Sequence, residues 1–426
     1  MIHKWLGKIT GVRDDEIGVA LLSCAYFFCV LCGYYILRPL REEMGLAGGV
    51  DALPRLYLVN LGVMLVAAPV FGWLVNRFKR RAFIPVVYRF FMMNMLIFFA
   101  LTKMMSGAAE ITLGRVFYVW VSVYNMWAVS LFWAYMADGF DLERSKRLFG
   151  FIAMGGTVGA IIGAAITAGL VDTLGRVNLI LISIVLLELA VRCVNALGRR
   201  FAAGAARPDW HEAEATARGG FLNGVTTTLR SPYLLGISAY LFLYSLSSTF
   251  LYFEQAHIIG AAVAERAARA ALFARIDLWV NLLTLALQIV VAGRLIPRIG
   301  VGITLTLLPI LTVVGFLVLG WAPVLVVLVI FQVVRRAGNY ALIRPARETL
   351  YTIVPLDQKY KAKSFIDTFV YRGGDALGAG VFDALIRAGL GLAGIAFTAA
   401  PIAAVWGVVG LFLGTAQQRL AAKTRR

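Results

Sequence analysis

Long, nearly uninterrupted apolar runs are the feature of this sequence that most restricts its fold. About 20 apolar residues span the hydrocarbon core of a bilayer, and the chain contains many such runs, for instance VALLSCAYFFCVLCGYYIL at 19–37. In lipid, only helices and closed barrels satisfy their backbone polar groups. The runs here are continuous rather than alternating, which excludes a barrel. The sequence therefore predicts an all-α integral membrane protein.

Composition agrees with this prediction and excludes several classes of protein. Of 426 residues, 60% are hydrophobic and only 15% are charged, whereas soluble chains carry about a quarter charged residues. The net charge of +18 fits lysines and arginines crowded into cytoplasmic loops better than nucleic-acid binding. No Walker loop, zinc-ligand spacing or nucleophile elbow is present. We therefore expect neither an enzyme nor a bound metal or cofactor.

Breaks between the apolar runs divide the chain into about twelve predicted spans in two groups of six. The first six spans are predicted near 17–38, 55–75, 83–103, 114–137, 148–171 and 177–197, and the second six near 232–254, 272–293, 299–320, 322–345, 364–386 and 391–414. A polar, charged segment at 198–231 separates the groups. This predicts a six-helix bundle at 1–197, a cytoplasmic linker at 198–231 and a second bundle at 232–426.

The distribution of lysine and arginine predicts the orientation. Alternate connections are rich in positive charge, as in RFKRR (77–81), ERSKR (143–147) and KYKAK (359–363), whereas the intervening connections are mostly poor in it. Because cytoplasmic loops carry the excess of Lys and Arg, both termini are expected in the cytoplasm, and a bacterial inner membrane is the expected location.

Repeated motifs support a duplicated plan. GWLVNRFKRR (72–81) and GRLIPRIG (293–300) resemble the motif that major facilitator transporters place between the second and third helices of each half. DLERSKR (141–147) and DQKYKAK (357–363) precede corresponding spans, and each is followed by a Gly-Gly pair, which lets helices approach closely. This resemblance implies the major facilitator fold, in which each half consists of inverted three-helix units.

A basic-acidic pentapeptide occurs twice, as RPLRE at 38–42 and RPARE at 344–348. Proline kinks a helix, so the first arginine of each copy is expected at a bend, with the second arginine paired with the adjacent glutamate. Arginines bind phosphate or carboxylate oxygens bidentately. In the inverted-repeat plan the first copy lies at the outer mouth and the second at the inner mouth. The alternative is that these arginines only determine the orientation of the helices in the membrane. This alternative is weaker for RPLRE than for RPARE.

Deeper in the tenth span, Arg335 and Arg336 lie where a charge costs at least ~2.5–3.5 kcal/mol. They cannot share one face. One is therefore expected to pair with Glu254, Asp277 or Asp367, and the other to face a pathway. The candidate substrate-binding residues are Tyr34, Arg38, Arg41, Glu42, Arg335, Arg336, Asn339, Arg344, Arg347 and Glu348. Candidate coupling or gating acids are Asp138, Glu254, Asp367 and Asp375.

Two blocks resemble one family more closely. YYILRPLRE (34–42) and RPARETLYTIVPLDQKYKAKSFIDTFVYRGGD (344–375) are similar to signature segments of the non-mitochondrial ATP/ADP translocases. The resemblance implies a twelve-helix major facilitator fold that exchanges nucleotides, with basic residues of these blocks binding phosphates. Arg41 and Arg347 stand where the family has lysine, and Pro39 and Arg344 where it has aspartate. Charge type is thus kept at the two lysine positions.

The hypothesis from sequence is a secondary transporter that exchanges nucleotides or a related phosphorylated anion by alternating access. It is expected to be monomeric, with the lipid bilayer and an anionic small molecule as its partners. One alternative is a proton-coupled transporter of another organic anion or drug. An alternative of a different class is a membrane protein of this fold that does not transport.

Overall fold

A computed structural model describes residues 16–424 apart from 79, 141, 204–220, 290–292, 356–357, 359–361 and 364. Half of the predicted linker, together with Asp357, Lys359 and Lys361, lies outside the described residues. The described chain is helical, with no strand. Its twelve labelled helices are α1 (Ile17–Leu46), α2 (Leu53–Arg77), α3 (Arg80–Met104), α4 (Ala108–Gly139), α5 (Leu142–Leu174), α6 (Leu179–Ala203), α7 (Pro232–Ala262), α8 (Arg266–Leu287), α9 (Gly293–Trp321), α10 (Leu325–Gly338), α11 (Tyr371–Arg387) and α12 (Leu392–Thr424). A short helix, Phe221–Arg230, precedes α7.

The helices reproduce the predicted spans and extend several of them. Eleven segments of the described chain are long and apolar enough to cross a membrane. The remaining span, predicted at 364–386, is formed by a π-helical turn at Ile366–Val370 that leads directly into α11. α11 itself has only 17 residues and carries several charged side chains, so it is the least apolar of the twelve.

The chain forms two compact units. The first comprises Met1–Gly49, Gly62–Asp209 and Val263–Asn281, and the second comprises Val50–Leu61, Trp210–Ala262 and Leu282–Arg426. In the first unit α1 is central and packs against α4, α5 and α6. In the second unit α7 packs against α11 and α12, and α9 packs against α10 and α12.

Glycines allow the closest helix approaches. Gly155, Gly159 and Gly163 follow one another at a spacing of four on α5, and a Cβ at any of them would overlap a backbone carbonyl of α1. In the second unit Gly374 and Gly378 of α11 lie against α7 in the same way; a Cβ at Gly378 would lie 2.9 Å from the Thr249 side chain. Small residues permit such contact between membrane helices. Close helix packing was predicted from the sequence at both Gly-Gly pairs, 155–156 and 373–374.

Large apolar side chains remain exposed on the outside of both units, among them Val66, Val86, Phe90, Ile310 and Val408. In water such a surface would be unfavourable, but lipid tails are as apolar as these side chains. The exposed apolar surface and the eleven apolar helices together identify an integral membrane protein.

Candidate functional site

The candidate site begins where α10 departs from α-helical geometry. α10 ends at Gly338, a π-helical turn occupies Asn339–Ile343, and a short helix continues over Arg344–Leu350. Pro345 has no N–H to donate, and its ring crowds the carbonyl four residues before it. A π-turn relieves this conflict because its hydrogen bonds reach one residue further, and such turns are frequent at functional sites. In α1, by contrast, the helix continues through Pro39 to Leu46.

Arg335 lies buried in the interior of the second unit, with 3% of its surface exposed. Its Nη2 donates to Ser248 Oγ of α7 at 2.9 Å, and its Nε donates to Thr312 Oγ1 of α9 at 3.2 Å. The guanidinium carbon also lies 5.4 Å from the centre of the Tyr244 ring. Three side chains from two helices therefore fix one arginine in place.

The hydrogen bonds around Arg335 leave its charge without a counter-charge. The hydroxyl of Ser248 donates to the Tyr244 carbonyl and that of Thr312 to the Leu308 carbonyl, both at 2.7 Å. Each oxygen is therefore free to accept from Arg335, but neither carries charge. No described carboxylate lies within 4 Å of the guanidinium. Because a buried charge normally has an ionic partner, this arrangement favours an anionic ligand.

Aromatic side chains surround the same point. Asn339 Nδ2 donates to the Tyr244 hydroxyl at 2.8 Å, so the π-turn helps to hold this tyrosine. The Tyr244 ring centre lies 5.6 Å from that of Trp406 and 6.0 Å from that of Tyr371. Two predicted site residues, Arg335 and Asn339, are thus brought together through Tyr244. Trp406 is fully buried, whereas the half-buried rings of Tyr244 and Tyr371 could stack on a flat ligand group.

The second copy of the pentapeptide forms its own ionic group. Glu348 accepts from Lys363 Nζ at 2.5 Å and lies 3.7 Å from Arg347 Nη2. The Arg344 guanidinium lies 4.7 Å from the ring centre of Tyr340 and is exposed. The far end of the short helix is held by Tyr233, whose hydroxyl donates to the Leu350 carbonyl at 2.9 Å.

The first copy, in the first unit, repeats these local contacts. Arg41 pairs with Glu42 at 3.1 Å, and Arg38 lies 5.6 Å from the ring centre of Tyr35. In addition Arg38 Nη1 lies 3.1 Å from Asp277 Oδ1 of α8. Asp277, one of the acids predicted to pair with an arginine of the tenth span, therefore pairs with Arg38 of α1.

The remaining predicted residues occupy separate places. Tyr34 lies beside Tyr35, with ring centres 5.4 Å apart. Arg336 is only half-buried, in contrast to its neighbour Arg335. Asp375 of α11 is buried and accepts from Ser245, from Thr249 at 3.3 Å and from Arg372 at 3.4 Å.

The other three acids differ in burial. Glu254 of α7 is 1% exposed, and its Oε1 has no hydrogen-bond partner in the described chain. Asp367, in the π-turn before α11, is half-buried, whereas Asp138 is exposed near the end of α4.

Sequence reasoning missed Ser248 and Thr312, because serine and threonine are common in membrane helices and their spacing carries no signal. It also missed four charged residues of the first unit that form one ion-pair cluster: Glu43, Glu110, Arg176 and Arg266. Arg176 and Arg266 stand in connections predicted to lie outside. Their position against the positive-inside bias is a signal that could have identified them.

Comparison of the sequence with protein-family models and with curated proteins gives no match. Comparison of the structure gives many. The chain is similar to a POT family peptide transporter (TM-score 0.63, 15% identity, 94% of this chain and 96% of that one). It is also similar to a D-xylose-proton symporter (0.62, 12%, 95% and 97%) and to a nucleoside transporter (0.58, 13%, 94% and 99%).

These similarities extend over almost the full length of both chains, and the three proteins are transporters of the major facilitator fold. The predicted fold class is therefore confirmed: the chain is an all-α membrane protein with the major facilitator fold. At 12–15% identity the likeness concerns the fold. Peptides, a sugar and nucleosides are the substrates named for these neighbours, so the fold alone does not select a substrate.

Proposed function

We propose that this protein is a secondary active transporter of an anionic small molecule, working by alternating access. The observation that carries the proposal is the buried Arg335, which is held by neutral hydroxyls and has no described carboxylate within 4 Å. The full-length likeness to transporters supports the transport part of the proposal. Bacterial inner-membrane location and cytoplasmic termini belong to the same proposal.

Arg335 has the geometry to bind an oxyanion. A guanidinium carries five N–H donors, and the two bonds to Ser248 and Thr312 use one on Nη2 and the one on Nε. The two donors on Nη1 and the second on Nη2 have no partner in the described chain. In a guanidinium, one N–H of Nη1 and one of Nη2 share an edge, where a carboxylate or phosphate binds through two parallel hydrogen bonds. Binding also supplies the missing negative charge.

Nucleotides are the substrate class that we place first. The resemblance of residues 34–42 and 344–375 to the ATP/ADP translocases supports this choice. So does the pair of half-buried rings, Tyr244 and Tyr371, near Arg335, since aromatic rings stack on bases. On this proposal the phosphates contact Arg335, and exchange of one nucleotide for another drives transport.

The test is uptake of labelled ATP and ADP into proteoliposomes, with and without internal nucleotide. Arg335→Ala should lower uptake about 10- to 100-fold, the equivalent of charge-assisted hydrogen bonds worth ~1.5–3 kcal/mol. Arg335→Lys should recover only part of the activity, because lysine lacks the planar fork. Arg387→Ala is the matched control: this arginine belongs to the same unit but is 68% exposed and pairs with Asp383. It should behave like the parent.

The same assay separates the alternatives. Uptake that follows an imposed pH gradient and is lost in Glu254→Gln would favour the proton-coupled transporter, which the buried, partnerless Oε1 of Glu254 supports. Absence of any anion uptake by well-folded protein would favour a membrane protein that does not transport. Parental uptake by Arg335→Ala would contradict the proposed binding site.

A further inference from the structure

Four charged side chains at one end of the first unit form a closed ion-pair cluster. Arg176 Nη1 lies 2.8 Å from Glu43 Oε2, and its Nη2 lies 2.5 Å from Glu110 Oε1. Arg266 pairs with the same two carboxylates: Nη1 lies 2.6 Å from Glu110 Oε1, and Nε donates to Glu43 Oε1. Each carboxylate thus contacts both arginines, and each arginine contacts both carboxylates.

The four residues come from three helix ends and one turn between helices. Glu43 is near the end of α1, Glu110 is in the first turn of α4, Arg176 is in the turn between α5 and α6, and Arg266 is the first residue of α8. Three of them belong to the first half of the sequence. Arg266 alone comes from the second half, so the cluster joins the beginning of α8 to α1, α4 and α5.

Burial makes the cluster strong while it is intact. The Glu43 side chain is 0% exposed, and those of Glu110, Arg176 and Arg266 are 18%, 18% and 26% exposed. Two negative and two positive charges cancel, and the carboxylates are surrounded by N–H donors. Removing one partner of a buried pair is costly because the other charge is left uncompensated. Any movement of α8 away from α1 would separate these charges from their partners and would have the same cost.

A second ionic contact joins the same two helices deeper in the unit. Arg38 of α1 pairs with Asp277 of α8 at 3.1 Å, with side chains 19% and 5% exposed. Between Arg266 and Asp277, α8 buries Ala270 and Ala274, both 0% exposed. The N-terminal half of α8 is therefore fastened to α1 at two points, and the two alanines between these points along α8 are fully buried.

We propose that this cluster, together with the Arg38–Asp277 pair, is the gate that closes one end of the transport pathway. The gate is open only when α8 separates from α1 and both sets of ion pairs break. This inference rests on the proposed transport function, since only a protein with alternating access needs to release this contact. Arg266 is the residue on which release depends, because it is the single cluster member contributed by the second half of the chain.

The test measures opening directly and needs no substrate. In a background without the four native cysteines, Ala274→Cys places a reporter thiol between the two ionic contacts. The purified protein is incorporated into nanodiscs, where a maleimide reaches both membrane faces, so the readout does not depend on orientation. Because Ala274 is fully buried, the thiol should react slowly in the parent and faster whenever the gate opens.

Arg266→Ala should raise the labelling rate of the reporter at least about tenfold. Loss of a partly buried ion pair costs more free energy than a tenfold change in the opening equilibrium requires. Glu43 keeps Arg176 as a partner in this variant, so folding should be preserved. Arg275→Ala is the matched control: it removes the same charge from the same helix, but Arg275 is exposed and forms no ion pair with a described carboxylate. It should leave the rate unchanged.

A double-mutant comparison shows whether the cluster itself is responsible. Glu110→Gln should raise the labelling rate in the parent but add little in the Arg266→Ala background, because interacting residues are not additive. If Arg266→Ala does not fold, Arg266→Lys against Glu110→Gln provides the same comparison. Parental labelling in Arg266→Ala, equal effects of Arg266→Ala and Arg275→Ala, or full additivity with Glu110→Gln would each overturn the gate. If the uptake assay shows that nucleotides are not transported, the labelling result would still stand, because it needs no substrate.

Discussion

At the scale of single residues, the partner of each buried arginine separates two roles. Arg38 and Arg266 face carboxylates, so their charges are cancelled and they can serve as breakable links between helices. Arg335 faces hydroxyls only, so its charge is still available to a ligand. The partners of these arginines therefore favour a gate in the first unit and an anion-binding site in the second.

The hydroxyls that hold Arg335 should matter to affinity. Thr312→Val keeps the shape of the side chain but removes the acceptor of the Nε–H bond. Loss of one such hydrogen bond, worth about 0.5–1.5 kcal/mol, should raise the half-saturating concentration of the anion by about two- to tenfold. Uptake measured over a range of labelled nucleotide concentrations checks this.

Thr306→Val is the control for this prediction. Thr306 is also buried on α9 and also donates to the carbonyl four residues before it, but it does not contact Arg335. Equal effects of the two substitutions on half-saturation would mean that Thr312 acts through helix stability and not through Arg335.

Sequence reasoning named two residues of the candidate site at this scale. Arg335 and Asn339 could be identified because charge and amide groups deep in an apolar run require an explanation. The choice between Arg335 and Arg336 could not be made, because burial depends on how α10 packs against α7 and α9. The pairing of Asp277 with Arg38 was also out of reach, since it joins residues far apart in the chain.

At the scale of helices, the spacing of glycines along α5 fixes its distance from α1. Gly159→Ala should lower the thermal unfolding temperature of the purified protein, because the new Cβ would collide with the Phe28 carbonyl and Cα. Overpacking of this kind costs about 1–3 kcal/mol. Intrinsic fluorescence during heating in detergent measures the change.

Gly169→Ala tests the same substitution without the clash. Gly169 lies on α5 as well, but nothing surrounds the position of its Cβ within 4 Å. The exchange should be neutral or slightly stabilising, because alanine favours a helix over glycine by about 1 kcal/mol. A comparable loss of stability in both variants would show that close approach to α1 is not the cause.

The existence of the helices was predictable because the apolar runs are long, whereas their irregularities were not. α4 begins at Ala108 and α5 at Leu142, several residues before the predicted spans, because polar first turns are still helical. Proline at 345 indicated a bend, but whether it would form a kink or a π-turn depends on contacts with neighbouring helices. Pro39 shows this, since α1 continues through it.

At the scale of the whole molecule, the fold was predictable and the substrate was not. Long apolar runs and the repeated motifs indicated twelve helices of the major facilitator fold, which the comparison of structures confirms. The similar structures with this fold include a peptide transporter, a sugar symporter and a nucleoside transporter. Substrate choice therefore lies in a few side chains whose arrangement no composition or periodicity reveals.

The orientation in the membrane can be tested on the whole chain. Single cysteines placed in 204–220 should react only with reagents that enter the cytoplasm, because the adjoining connections carry the excess of arginine and lysine. Cysteines placed at 47–51 should react with an impermeant maleimide added to intact cells. External labelling of 204–220 would reverse the proposed orientation, and with it the side on which the gate opens.

The π-turn at Asn339–Ile343 also changes which side of the helix the second pentapeptide occupies. Nine α-helical steps would place Arg344 about 180° around the axis from Arg335, but a π-turn absorbs one residue, which leaves about 80°. The turn thus brings the two arginines towards one side of the helix. Chain length between residues 335 and 344 is therefore constrained independently of side-chain identity. A single insertion or deletion here would change the phase of everything that follows, even if every charged residue were kept.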